Sequence, residues 1–116
     1  MIHQVCKALC LDSQGSTGPA SEFSQAVSME GYNSVQAELV LYAYTPGVST
    51  ALSVTTQVSN DGTNWQNASS AQATGEIGRT LLNAQNDVAA SYVRLYFELA
   101  GTGKAVLDAH LAISSQ

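Results

Sequence analysis

The stretch Ala51-Leu-Ser-Val-Thr-Thr-Gln-Val-Ser-Asn-Asp-Gly-Thr-Asn-Trp65 decides the fold. Leu52, Val54, Thr56 and Val58 alternate with Ser53, Thr55, Gln57 and Ser59, the period of two that a strand with one buried face requires. Asn60-Asp61-Gly62 then reverses the chain, because Asn, Asp and Gly tolerate the positive φ of a tight hairpin. Trp65, the only tryptophan, follows just past the turn. In a β-protein a lone tryptophan near a strand start is expected in or at the rim of the core, where truncation to Ala costs ~3–5 kcal/mol.

The same alternation recurs on both sides. Downstream, Ser91, Val93, Leu95, Phe97 and Leu99 alternate with Tyr92, Arg94, Tyr96 and Glu98. After a turn at Gly101-Thr-Gly103, Ala105, Leu107, Ala109, Leu111 and Ile113 alternate with Val106, Asp108, His110 and Ala112. Upstream, Val35, Ala37, Leu39, Leu41 and Ala43 are placed toward the core, and Gln36, Glu38, Val40, Tyr42 and Tyr44 on the outer face. Gly31-Tyr32-Asn33 and Thr45-Pro46-Gly47 read as the bounding turns. Phe23, Gln25, Val27 and Met29 share a face of a short strand, and residues 2 to 11 form a first strand with Val5, Leu9 and Leu11 on one side. The segment from Asp12 to Ala20 is dense in turn formers and reads as a loop. Residues 66 to 78 read mainly as loop, with a short strand near 64–68, and Arg79 to Leu82 as another strand. Seven to eight short strands without a helical stretch predict an all-β fold, an antiparallel two-sheet β-sandwich or jelly roll.

At 116 residues and 12.1 kDa the chain is one domain, 1–116, large enough for a single core. Residues 1–22, the first strand and its loop, are the candidate assembly arm. Only 11% of residues are charged, against roughly 25% in ordinary soluble domains. The surface is therefore built from Ser, Thr, Gln, Asn and Ala, as in rigid β-proteins and in subunits that bury themselves against neighbours. Four basic residues face nine acidic ones; Lys7, Arg79, Arg94 and Lys104 are scattered and make no stripe for nucleic acid. No apolar run approaches the roughly 20 residues of a membrane-spanning helix, and no basic amphipathic helix suits a membrane surface. The first eleven residues lack the basic start and long apolar run of a signal peptide, which predicts synthesis in a cytoplasm without a cleaved signal.

Residue types for catalysis are sparse. Asp108 and His110 share a strand face, yet no Ser or Cys is tied to them by sequence, so a solvated polar face is the expectation. Cys6 and Cys10 share a face but lie about 13 Å apart at ~3.3 Å per residue, too far for a disulfide, and read as free buried thiols. With His3 as the sole nearby ligand type, no zinc site is predicted. Asp61 supplies one turn carboxylate where calcium wants several, so hairpin geometry explains it better. No enzyme activity, catalytic residue, metal or cofactor is therefore predicted. The candidate contact residues are Val5, Leu9, Tyr42, Tyr44 and Trp65.

Val58-Ser-Asn-Asp-Gly-Thr-Asn-Trp65, followed by Ser91-Tyr-Val-Arg-Leu-Tyr96 and preceded by Gly31-Tyr-Asn-Ser-Val35, resembles small β-sandwich virion proteins of tailed phages. The likeness spans about residues 31 to 113. It implies a virion structural protein, of which a capsid decoration or cementing subunit is the leading form. Its partners would be capsid or other virion subunits and further copies of itself, a trimer being one form, with the virion as its location. The same motifs are similar, more weakly, to discoidin-like galactose-binding jelly rolls. The chain is shorter than those and lacks the disulfide that joins their termini, and no binding residue is carried across. That likeness implies the alternative function, a carbohydrate- or cell-surface-binding module of a phage tail or fibre.

Overall fold

Alternating apolar positions divide the chain into two layers. A computed structural model describes residues 2–12, 20–29, 31–46, 51–69, 72–74, 77–82, 85, 90–100 and 103–114. Its strands are β1 (Ile2–Asp12), β2 (Ala20–Phe23), β3 (Val27–Ser28), β4 (Ser34–Pro46), β5 (Ala51–Ser59), β6 (Gln66–Asn67), β7 (Gln72–Thr74), β8 (Gly78–Leu81), β9 (Tyr92–Ala100) and β10 (Gly103–Ser114). One sheet runs β1-β10-β4-β8; the other runs β2-β9-β5-β6, with β3 also on β9 and β7 also on β5. Every pairing is antiparallel.

Ten segments fill eight positions, which reconciles them with the predicted seven to eight strands. β2 and β3 lie along the same edge of β9, with Phe23 opposite Tyr96 and Val27 opposite Val93. Between them Ser24 turns inward, where its Oγ accepts from Leu95 N at 2.8 Å and its N donates to Leu95 O at 2.9 Å. β6 and β7 likewise share the far edge of β5. In that break, Ser69 Oγ accepts from Thr56 N at 3.1 Å and Ala68 N donates to Thr56 O at 2.8 Å. Four positions per sheet, with β10 between β1 and β4 and β9 between β2 and β5, make a jelly roll.

The core lies between the sheets, where apolar side chains of the two inner faces interlock. Leu52 and Val54 of β5 oppose Leu99 and Phe97 of β9. From the other sheet, Val35, Ala37, Leu39 and Leu41 meet Ala105, Leu107, Ala109, Leu111 and Ile113. All are buried, as the alternation predicts.

The expected pattern fails where a strand carries an extra residue. In β4, Ala43 faces Val106 and Leu41 faces Leu107, leaving Tyr42 as a bulge. A one-residue insertion reverses which face later residues occupy. Ala43, expected in the core, is exposed, and Tyr44, expected outside, is half-buried against the core. One extra residue between Phe23 and Val27 does the same: Phe23 is exposed on the outer face while Met29 is buried, so they do not share a face.

β1 is an edge strand of the first sheet, with register shifts between Gln4 and Cys6 and between Cys6 and Leu9. Val5 and Leu11 are buried and Leu9 packs on the core. Gln25 N donates to Val5 O at 3.2 Å, tying this strand to the edge of the other sheet. Cys10 is a free, exposed thiol, which corrects its expected burial; the side chain of Cys6 lies outside the described part. The loop read over 12–20 falls outside it from 13 to 19, as do Gly47, Gly101 and Thr102 of two predicted turns.

Candidate functional site: an arginine clamp beside a polar loop

Outward-facing residues of the second sheet build the most organised surface. Gln57 of β5 lies directly between Arg94 of β9 and Asn67 of β6 in the ladder. Arg94 Nε donates to Gln57 Oε1 at 2.9 Å, and Gln57 Nε2 donates to Asn67 Oδ1 at 3.0 Å. The guanidinium carbon sits 3.8 Å from the Phe23 ring centroid and 4.1 Å from that of Trp65. Each contact is a cation–π interaction, to which a planar guanidinium is well suited. Phe23 also packs on Tyr96, with ring centroids 4.9 Å apart. Tyr96 OH donates to Glu98 Oε2 at 3.2 Å, which engages the nearest carboxylate along β9. Arg94 has no ion-pair partner among the described residues. Partial burial lowers its pKa, the direction expected when a cation is drawn out of water.

Trp65 joins this clamp to the loop that follows β5. Asp61 organises that loop: its Oδ1 accepts from Thr63 N and Asn64 N, each at 2.8 Å, and from Ser59 Oγ at 3.0 Å. Its Oδ2 accepts from Asn64 Nδ2 at 2.8 Å. Those donors stabilise the carboxylate, with the two backbone N–H groups foremost, and hold its pKa well below the usual range. Ser59 Oγ accepts in turn from Gly62 N at 2.9 Å. Gly62 has φ 77°, and a side chain there would meet the Tyr92 ring at 3.8 Å. The turn is therefore a wider, side-chain-braced loop, with β6 returning against β5 only at Gln66. Beside it opens a depression of about 550 Å³, lined by Ser59, Asn60, Thr63, Asn64, Trp65 and Gln66 among others.

The candidate contact residues do not come together. Trp65 is half-exposed on the outer face and outside the core, correcting its expected burial. Val5 is inside the sandwich and therefore unavailable to a partner; Leu9 and Tyr44 are half-buried against the core. Tyr42 is exposed on the first sheet, where its OH donates to Oδ2 of buried Asp108 at 2.5 Å. That bond, then burial and the negative charge, raise the phenol's pKa. The Asp108–His110 face is thus not simply solvated: Asp108 is covered by the bulged tyrosine, and His110 Nδ1 is buried with no hydrogen-bond partner among the described residues. His110 borders a shallow depression of about 110 Å³ with Ile2, Gln36, Glu38, Leu81 and Ala112. Sequence reasoning missed Phe23, Gln57, Asn67 and Arg94. The outward position of Arg94 is readable in β9, but its partners lie on two other strands, β2 and β5, and in the loop before β6.

This architecture belongs to the class of eight-position jelly-roll sandwiches. In solved structures it is similar to a chain in the structure of infectious bursal disease virus, Gx strain, at 11% identity and a TM-score of 0.61, covering 97% of this chain and 30% of that one. The Gt strain of the same virus gives 11% identity and a TM-score of 0.58, covering 98% of this chain and 32% of that one. A chain of Broad Bean Stain Virus gives 11% identity and a TM-score of 0.52, covering 98% of this chain and 86% of that one. The chain thus spans about a third of the length of the two bursal disease virus chains. No protein-family model matches the sequence, and no curated protein matches it.

Proposed function

We infer that the protein is a structural subunit of a virus particle, acting as a decoration or cementing protein that stabilises a shell through subunit contacts. One observation supports this above the others: the likeness to chains in three virus structures covers 97–98% of this chain. Sparse charge and large apolar side chains on the outside fit a subunit that buries surface on assembly: Ile2, Phe23, Tyr42, Ile77 and Leu81 are all exposed. The mechanism is mass action. A rigid sandwich that binds only the assembled shell raises that shell's stability by its binding free energy. Residues 1–22 contribute through the free edge of β1, since β1 is itself part of the sheet. Self-association, as a trimer for instance, belongs to the same reading.

The test uses empty shells of the virus that encodes the chain. Purified protein should co-sediment with them and raise their melting temperature; shells that neither bind it nor gain stability would refute the cementing role. The alternative, a carbohydrate-binding module of a tail or fibre, is favoured by the polar depression beside half-exposed Trp65.

A further inference from the structure

We propose that Arg94 is an anion-binding residue for a carboxylated sugar, with Trp65 and the loop from Ser59 to Gln66 holding the sugar's hydroxyl groups. This is independent of the shell-stabilising role; it rests on the carbohydrate-binding alternative and gives that site a ligand class.

The guanidinium is preorganised. The Phe23 and Trp65 ring centroids lie 3.8 and 4.1 Å from its carbon, and Gln57, itself fixed by Asn67, takes the Nε–H. These contacts are two rings and the Nε edge. They leave the terminal Nη1 and Nη2 groups without a hydrogen-bond or ion-pair partner among the described residues. The nearest acid on its strand, Glu98, is engaged by Tyr96. A cation with no carboxylate partner among the described residues, on a chain of net charge −5, is unusual, because a neighbouring carboxylate would normally offset the cost of partial burial. A planar fork clamped between rings and lacking that carboxylate suits one supplied from outside. Bidentate guanidinium–carboxylate pairing supplies both strength and orientation.

A sugar is favoured over an acidic peptide by what adjoins the clamp. Trp65 belongs both to the clamp and to the 550 Å³ depression, a volume within the roughly 300–1,000 Å³ of small-ligand sites. The other walls combine hydroxyl, amide and carboxylate groups from Ser59, Asn60, Asp61, Thr63, Asn64 and Gln66 with the apolar side chains of Val58 and Ala90. Polar groups beside small apolar faces match a hydroxylated ring, and the Asp61 carboxylate is already engaged by Ser59, Thr63 and Asn64.

The only tryptophan touches the guanidinium, so its fluorescence reports occupancy directly. Titration with N-acetylneuraminate and with glucuronate is expected to give a saturable change for at least one of them. The corresponding methyl ester and neutral galactose should bind about tenfold or more weakly, as expected when a charged hydrogen bond is lost. Arg94→Gln should abolish the change, and Arg94→Lys should weaken it. Gln66→Ala, an exposed change outside the clamp, should weaken sugar binding in a protein with unaltered thermal melting. No saturable change with either acid, equal binding of the methyl ester, or retained binding by folded Arg94→Gln would overturn the proposal. So would tighter binding of an oligoglutamate peptide than of either sugar, which would make the clamp a protein-docking site. Shell binding by the same preparation is scored separately, so either reading can fail alone.

Discussion

Asp61 shows how one exposed side chain can hold a loop. Its carboxylate accepts from two backbone N–H groups and from the side chains of Ser59 and Asn64. Because its folded pKa lies below the ordinary value of about 4, its stabilisation is complete above that value and is lost as pH falls through the depressed folded pKa. Asp61→Asn should therefore lower the melting temperature at neutral pH, and the difference from the parent should shrink in acid below about pH 4; a constant difference would rule this out. Tyr42 behaves oppositely. Its phenol is raised, so its bond to Asp108 is present below the ordinary tyrosine value of about 10 and lost as pH climbs through the folded value. Ultraviolet titration of the phenols should show one late tyrosine that disappears in Tyr42→Phe. Gly62 is constrained by its φ of 77°, and Gly62→Ala should cost roughly 1–2 kcal/mol, measurable by denaturant unfolding. Trp65→Ala should cost about 1–2 kcal/mol, the scale of a lost cation–π contact, because the ring lies on the surface and not in the core.

Strands were readable from the sequence wherever alternation ran without interruption. β9 buries the residues its periodicity indicates, and so do β10 and β5 at their core positions from Ala105 to Ile113 and from Leu52 to Thr56. Asp108, Thr55 and Ser59 of their outer sets are buried too, however, and Val58 is only half-buried. Inserted residues were not readable, because a bulge is set by pairing with a partner strand remote in sequence. Ala43 looks like the fifth core position of β4 and is instead exposed past the Tyr42 bulge. The clamp was hidden for a related reason: Phe23, Gln57, Trp65 and Arg94 meet only after four separate chain segments are laid side by side. The bulge has a direct test. Ala43→Asp should change stability by no more than about 0.5 kcal/mol, whereas Ala37→Asp, which buries an unpaired charge, should cost more than about 3 kcal/mol. Equal penalties would mean that β4 is not bulged.

At the scale of the molecule, the sandwich closes only when its first strand joins its last. Sheet neighbours remote in sequence, such as β1 and β10, make jelly rolls slow to fold. They also make β1 indispensable. Deleting residues 1–12 removes Val5 and Leu11 from the core and bares the edge of β10. The truncated protein should lose cooperative thermal unfolding and aggregate. A soluble product with the parental melting transition would show that β1 is a detachable arm.

Ile2 on β1 sits opposite Ala112 on β10, so the incoming and outgoing strands are nearest neighbours, with Cα atoms about 5 Å apart. A jelly roll with this geometry is a cassette. It can be spliced into a surface loop of an unrelated host protein through two short linkers, without stretching the host's backbone, and displayed there as a folded unit.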